Sequence, residues 1–210
     1  MLEYIDMEQG SEEWYKARIA SIGGTAINAI AAGGSGRKKL LYAFVGEYLT
    51  GIPAESFKFH HADRGKEFES VLRDYYSALT GNEVKEYGLI RFGPHYHISP
   101  DGIIGESGGL EIKTRIPSVM VEAITSGYTP ISVRRQAQWS MYGTGREWWD
   151  YIQGCPEMMD NSIHPVIQRI YRDELPKSKR EEHVTGAGLY EAAESFVAEM
   201  LKMAEQCRKA

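Results

Sequence analysis

Asp101, Glu111 and Lys113 are the residues of this chain whose types and spacing can do chemistry together. Asp101 stands in the turn-like stretch Ser99-Pro-Asp-Gly102, and Glu111 and Lys113 lie in Leu110-Glu-Ile-Lys-Thr114. The second stretch alternates apolar and polar residues, the period of a strand. Side chains two apart on a strand share a face. Glu111 and Lys113 are therefore neighbours, and Leu110 and Ile112 point the other way. Ile103-Ile104 is apolar and Gly105-Glu-Ser-Gly-Gly109 is a turn signal. A chain folding back through that turn brings Asp101 towards Glu111. Two carboxylates and an ammonium then form one cluster.

The cluster has a bland reading and a sharp one. A Glu-x-Lys pair on a strand is commonly a solvated face with a weak ion pair, and Asp-Gly is commonly a turn. The combination asks for more. Two adjacent carboxylates repel unless a cation sits between them, and Mg²⁺ prefers oxygen ligands. An ammonium beside such an ion can hold or help activate a water and stabilise charge on a phosphate.

The elements that must position these groups follow from periodicity and punctuation. Ser11 can cap a short helix over 11–18, and a second helix runs over 24–32. A glycine-rich loop over 33–36 precedes a helix over 38–49. The segment 65–79 is strongly helical in period, with Phe68, Leu72 and Tyr76 on one face. Strands are predicted over 88–92, 96–99 and 110–114, helices over 117–126 and 131–142, and strands over 146–153 and 165–171. An amphipathic helix over 188–208 carries Leu189, Phe196, Met200 and Met203. This order points to an α/β core, a mixed sheet flanked by helices.

Composition bounds the function. A chain of 210 residues with 42% hydrophobic content is one globular domain, 1–210, with a substantial core. No run approaches a membrane span, and the acidic start MLEYIDMEQG lacks a signal-peptide pattern. Two cysteines, Cys155 and Cys207, cannot build a disulfide framework, so a reducing cytoplasm is expected. The net charge of −5 is unlike a general nucleic-acid binder. Bound cations and local basic strips can still neutralise phosphates. Arg37-Lys38-Lys39 and Arg134-Arg135 are such strips, or solvated faces. His60-His61 and His95-x-His97 lack a third ligand at a spacing that would make a transition-metal site.

Four stretches together carry a resemblance. Ser99-Pro-Asp-Gly102 followed by Gly109-Leu-Glu-Ile-Lys113 resembles the PD-(D/E)xK nuclease signature, and within it the phage lambda exonuclease family, or YqaJ-type viral recombinases. Gln9-Gly-Ser-Glu-Glu-Trp-Tyr-Lys-Ala-Arg18, with Ile22-Gly-Gly-Thr25, is similar to that family's opening pattern. Arg64-Gly-Lys-Glu-Phe-Glu69 resembles its Gly-x-x-x-Glu helix, and Gln136-Ala-Gln-Trp-Ser-Met141 its Gln-x-Gln helix. All four occur in the family's order, from about residue 8 to about residue 170.

The resemblance implies a restriction-endonuclease-like core and a role for each matched residue. Asp101, Glu111 and the backbone carbonyl of Ile112 would hold Mg²⁺, with Mn²⁺ as the alternative. Glu69 would serve a second metal, in two-metal phosphodiester chemistry. Lys113 would position or activate water, and Gln138 would fix that water or Lys113, with Gln136 facing elsewhere. Trp14 and Arg18 share a helix face at i, i+4. They are either a core contact with a snorkelling arginine or, as the resemblance implies, part of a 5′-phosphate pocket made by Arg18 and Thr25. Gly23 stands where the lambda enzyme has a threonine. Val119 stands where it has a second pocket arginine, for which Arg115 is the nearby substitute. Lys38 and Lys39 are further candidates for DNA contact.

The activity so implied is Mg²⁺-dependent 5′→3′ digestion of one strand of linear duplex DNA with a 5′-phosphorylated end. The 3′ single strand left behind would feed phage-type recombination through a single-strand annealing protein. A trimeric ring around the duplex is implied as well, in a phage or prophage setting within a bacterial cytoplasm. Trp148-Trp-x-Tyr151 is either part of the ring contact or sheet core. The alternatives are a restriction-type endonuclease of the same superfamily and a non-catalytic DNA-binding module. The module has no need to keep Lys113 among Asp101, Glu111 and Glu69.

Overall fold

The computed structural model describes residues 1–54, 62–175 and 183–209, and His60-His61 lie outside them. The alternating segments pair into two sheets. One is antiparallel, in the order β1 (Glu3–Ile5), β3 (Leu89–Gly93), β4 (Tyr96–Ile98). The other is mixed, in the order β2 (Val84–Lys85), β5 (Gly102–Ile104), β6 (Gly108–Thr114), β7 (Trp148–Gly154), β8 (Val166–Tyr171). β5 and β6 form the expected hairpin, with Gly102 opposite Leu110. β6 and β7 run parallel, with Glu111 beside Tyr151 and Lys113 beside Gln153. A parallel pair needs a long crossover, and α5 (Pro117–Ser126) with α6 (Ile131–Thr144) lies between these strands in the chain.

The remaining helices are α1 (Glu12–Ala17), α2 (Gly24–Ala32), α3 (Gly34–Thr50), α4 (Ala62–Thr80), the short α7 (Pro156–Met159) and α8 (Gly186–Lys209). The alternation of β6 divides the core. Leu110 and Ile112 pack with Leu72 and Tyr76 of α4 and with Ile104 and Ile152. The larger cluster joins Trp149 and Tyr151 to α2, α3, α6 and α8, including Phe44, Trp139, Phe196 and Met200. Asp150 ties α4 to β8. It accepts from the Tyr76 hydroxyl at 2.6 Å and from Nε and Nη2 on one edge of the Arg169 guanidinium at 2.7 and 2.8 Å. A buried carboxylate so paired keeps its charge solvated by protein.

Several expectations change. The glycine-rich loop is reduced to Gly33, which ends α2 at φ 72°, and α3 begins at once with Gly34. α4 starts three residues earlier than predicted. β1, β2 and α7 escape a periodicity test because each spans at most four residues. Trp149 and Tyr151 are 1% and 0% exposed, so these two aromatics are sheet core, and Trp148 is half-buried. β7 gains that core because Gly109 opposite it has no side chain. A Cβ there would fall 2.3 Å from the Trp149 ring. Arg134 is also buried, and its guanidinium pairs with Glu174 at 3.3 Å, so it belongs to no solvent-facing basic strip. Among the described residues no helix is long and apolar enough to cross a membrane.

Candidate active site

The hairpin delivers the predicted cluster. Asp101 precedes β5 and lies beside β6, where its Oδ2 accepts the Ile112 N–H at 2.7 Å. Glu111 projects to the α6 side. Its Oε2 accepts from Gln136 Nε2 at 2.7 Å, and its Oε1 pairs with the Lys113 ammonium. The Glu111 side chain is 3% exposed and that of Lys113 is 37% exposed. Lys113 therefore stands between a buried carboxylate and the solvent from which a substrate arrives. Glu69 approaches from α4, held by Arg73 at 2.8 Å. Arg73 also donates to the Asp101 backbone carbonyl at 3.1 Å and pairs with Glu86 at 3.0 Å. This one guanidinium fixes α4 against the start of β5.

The charges of the cluster are interdependent. Burial raises the Glu111 carboxyl to about 7, with Asp101 and Glu69 adding to the rise and Lys113 opposing it. Glu69 is raised to about 7 by burial and then by Asp101, against Arg73 and Lys113. Burial also raises Asp101, although Lys113, the Ile112 N–H and Arg73 favour its charge. For Lys113, burial alone would lower the ammonium. Glu111 and Asp101 outweigh it and hold the group above its ordinary range. As an ammonium, Lys113 can orient water and stabilise negative charge, but it cannot itself take a proton.

Three carboxylates that burial drives towards protonation make a place where a cation is favourable. Their donors are all oxygen, which suits a hard divalent ion and not a thiolate- or imidazole-seeking one. Among the described residues no three acidic, histidine or cysteine side chains are yet gathered around one point. Lys113 takes one oxygen of Glu111, and Arg73 takes one of Glu69. Asp101 and Glu111, with the Ile112 carbonyl, are the residues that would hold the ion, and Glu69 is the further carboxylate within electrostatic reach. Bound there, a divalent cation would supply Lewis-acid charge stabilisation and a more acidic water.

A second feature lies beside the cluster. Arg18 and Thr25 line the same cavity of about 140 Å³, with Ser21, Glu47 and Phe44. Arg18 lies over the Trp14 ring at 3.8 Å and donates through Nε to His97 Nε2 at 3.0 Å. Burial lowers its guanidinium to about 10, which still leaves it charged at neutral pH. Thr25 stands in the first turn of α2, whose N-terminus has no side-chain cap. Its amides are thus open to an anion. Gly24 joins the two features, because a Cβ there would lie 2.6 Å from Cγ of Gln136, the residue that holds Glu111.

Other predicted residues are placed elsewhere. Gln138 is 1% exposed and turned away from Glu111. It donates to the Tyr171 carbonyl at 2.7 Å and accepts from the Asp173 N–H at 2.9 Å, so it braces the end of β8. Gln136, expected to face elsewhere, reaches the cluster and donates to Glu111. Arg115 is bound to β7, donating to Gln153 at 3.3 Å and to the Tyr151 hydroxyl. Lys38 and Lys39 are exposed on α3 and are not gathered with the cluster. Lys38 instead shares a shallow pocket with Arg37 and Glu199, which pair at 2.7 Å across α3 and α8. Val119 is an exposed residue of α5. Arg73 and His97 are functional candidates that sequence reasoning missed. Arg73 stands one turn after Glu69, and that i, i+4 spacing was a usable signal.

A family model, the YqaJ-like viral recombinase domain, matches residues 13–147. The structure of an alkaline exonuclease from Laribacter hongkongensis is similar, with a TM-score of 0.81 at 26% identity, covering 95% of this chain and 97% of that one. The same enzyme in complex with dAMP gives a TM-score of 0.83 at 25% identity and the same coverage. A phage related exonuclease from Haemophilus somnus shares the fold alone, with a TM-score of 0.61 at 13% identity over 90% of this chain and 95% of that one. An uncharacterised protein of Acanthamoeba polyphaga mimivirus is 34% identical over 108 residues, 49% of this chain and 19% of that protein's length.

Proposed function

Because this chain belongs to the YqaJ-like viral recombinase domain family, we propose that it is a Mg²⁺-dependent exonuclease that digests one strand of linear duplex DNA from its 5′ end. The observation that carries this reading is the contact through Gln136. Gln136 holds Glu111 and touches Gly24, which lies in the chain between the cavity-lining Gly23 and Thr25. A cluster alone suits any member of the nuclease superfamily. A cluster beside a pocket with a guanidinium and an open helix N-terminus suits an enzyme that grips a terminal phosphate and cuts nearby. The similar Laribacter protein is by its name an exonuclease and has been solved with dAMP, a mononucleotide. Stepwise digestion from an end releases products of that size.

In the proposed reaction Asp101, Glu111 and the Ile112 carbonyl hold the metal, with Glu69 contributing a further carboxylate. Lys113 orients the attacking water and stabilises charge on the phosphoryl oxygens. Gln136 keeps Glu111 in place. Arg18 and Thr25 fix the 5′ end so that the scissile bond meets the cluster, which converts binding into orientation. The strand left behind is a 3′ tail, the substrate a single-strand annealing partner would take.

End dependence separates this reading from a restriction-type endonuclease. Linear duplex incubated with the protein and Mg²⁺ is expected to be consumed, and a covalently closed circle of the same sequence to persist. Removing Mg²⁺ with chelator should protect both. Linearisation of the circle at a rate comparable to digestion of the linear form would assign the endonuclease instead.

A further inference from the structure

We propose that His97 is the positioning residue of the end-binding pocket, holding the Arg18 guanidinium so that its terminal nitrogens are presented to a phosphate. The inference rests on the reading of Arg18 as a phosphate ligand and names what orients it. His97 is 1% exposed in β4 and is fastened on all sides. Its N–H donates to the Ile22 carbonyl at 3.0 Å, and its own carbonyl accepts from Trp139 Nε1 at 3.0 Å. Its ring contacts Ser21 Oγ through Nδ1 at 2.8 Å and Arg18 Nε through Nε2 at 3.0 Å.

The hydrogen bonds fix the tautomer. An arginine Nε–H can only donate, so Nε2 of His97 is the acceptor. Nδ1 must then carry the proton and donate to Ser21. The ring has to stay neutral to do this, and burial, with Arg18 and Arg91 nearby, holds His97 well below its ordinary range. Trp14 covers one face of the guanidinium. His97 takes its Nε edge. Among the described residues no side chain or carbonyl is hydrogen-bonded to the two terminal nitrogens. A guanidinium fixed at one edge and one face, with its fork left open on a cavity, is prepared for bidentate contact with an anion.

Gly23 supplies the space for this arrangement. A Cβ at position 23 would stand 2.4 Å from His97 Nε2 and 2.9 Å from Cε1. Contacts that short do not occur, so any side chain at 23 displaces the ring that holds Arg18. Gly23 also directly precedes the open turn of α2. The pocket thus uses an imidazole from β4 in the volume that a side chain at 23 would fill. Position 23 and position 97 form one unit.

The test is the ratio of kcat/KM on 5′-phosphoryl duplex to that on 5′-hydroxyl duplex. Arg18→Ala should abolish the preference. His97→Leu, which keeps bulk but removes the acceptor, should lower the ratio about tenfold, chiefly through KM for the phosphorylated end. Gly23→Ala should lower it comparably with His97 intact. His97→Gln, whose amide oxygen can accept from Arg18, should stay within about threefold of the natural chain. A purely structural role would depress both substrates equally and leave the ratio unmoved. If His97→Leu fails to fold, Gly23→Ala and His97→Gln decide the matter. An unchanged ratio in Gly23→Ala and His97→Leu beside a lost one in Arg18→Ala would overturn the role of His97 and leave the pocket standing. An unchanged ratio in Arg18→Ala would overturn both.

Discussion

Glu111→Gln, Asp101→Asn and Lys113→Ala are each expected to lower cleavage of linear duplex by about 10³-fold or more at saturating Mg²⁺. Glu111 is the sharpest of the three. It is almost fully buried, bound on one oxygen by Gln136 and on the other by Lys113. The amide keeps the shape and the Gln136 side of that arrangement but gives up the charge a cation needs. Asp101→Asn retains an oxygen able to accept the Ile112 N–H, so its loss would also be chemical and not structural. Lys113→Ala removes the ammonium that faces solvent and substrate. Gln136→Ala should cost less, about tenfold, because it orients a ligand instead of being one. Gln138→Ala should act on stability and not on chemistry, costing about 1–3 kcal/mol by leaving the Asp173 N–H without its acceptor and removing a donor from the Tyr171 carbonyl. Rates with end-labelled duplex, together with melting curves, separate these cases. Near-normal cleavage by Glu111→Gln would remove the cluster from the mechanism.

The second large effect is on pH. Glu111 and Glu69 are raised from the ordinary 4.5 to about 7, mainly by burial, and Asp101 is raised as well. In metal-free protein the folded state keeps protons that the unfolded chain releases above 4.5. The folded state binds more protons across that window, so stability falls as pH rises from about 4.5 to about 7. Above it Glu111 and Glu69 are charged and repel each other in a buried site. A divalent cation offsets this repulsion, so Mg²⁺ should raise the melting temperature at about pH 8, and the rise should fade below about pH 6 as protons compete for the same oxygens. At Mg²⁺ below saturation, kcat/KM should fall as pH drops below about 7, because protons compete with the ion for the Glu111 and Glu69 oxygens. Measured kcat/KM at fixed Mg²⁺ across this range checks the sign. A profile at subsaturating Mg²⁺ that stays flat between about pH 5 and pH 8 would contradict that competition.

The site was legible in the sequence where local periodicity decides direction. Alternation along 110–114 placed Glu111 and Lys113 on one face, and the turn before it returned the chain to Asp101. Helix phase was less legible. Gln136 and Gln138 lie on opposite sides of α6, and nothing in 131–142 says which side meets Glu111. That is settled by Gly24, far away in sequence, which lets α2 close on Gln136. His97 was unreadable for a related reason. Its role depends on a bridge between Ile22 and Tyr96 that sets β4 beside the entry to α2. Trp148-Trp-x-Tyr151 was ambiguous because a buried strand and an apolar contact patch share a composition, and only the pairing of β7 with both β6 and β8 resolves it. The 33–36 loop failed because glycines read as a loop even where one of them is enough to turn the chain between two helices.

The carboxylate–lysine cluster is expected to work on a strand whose 5′ end is held by Arg18 and Thr25. Single-turnover digestion of a blunt duplex tests it most directly, with one label on the 5′-terminal nucleotide and another on the 3′-terminal nucleotide of the same strand. With Mg²⁺, the 5′ label should leave first as a small product while the 3′ label remains in long DNA. Release of the 3′ label first, or of both labels in internal fragments, would contradict the account.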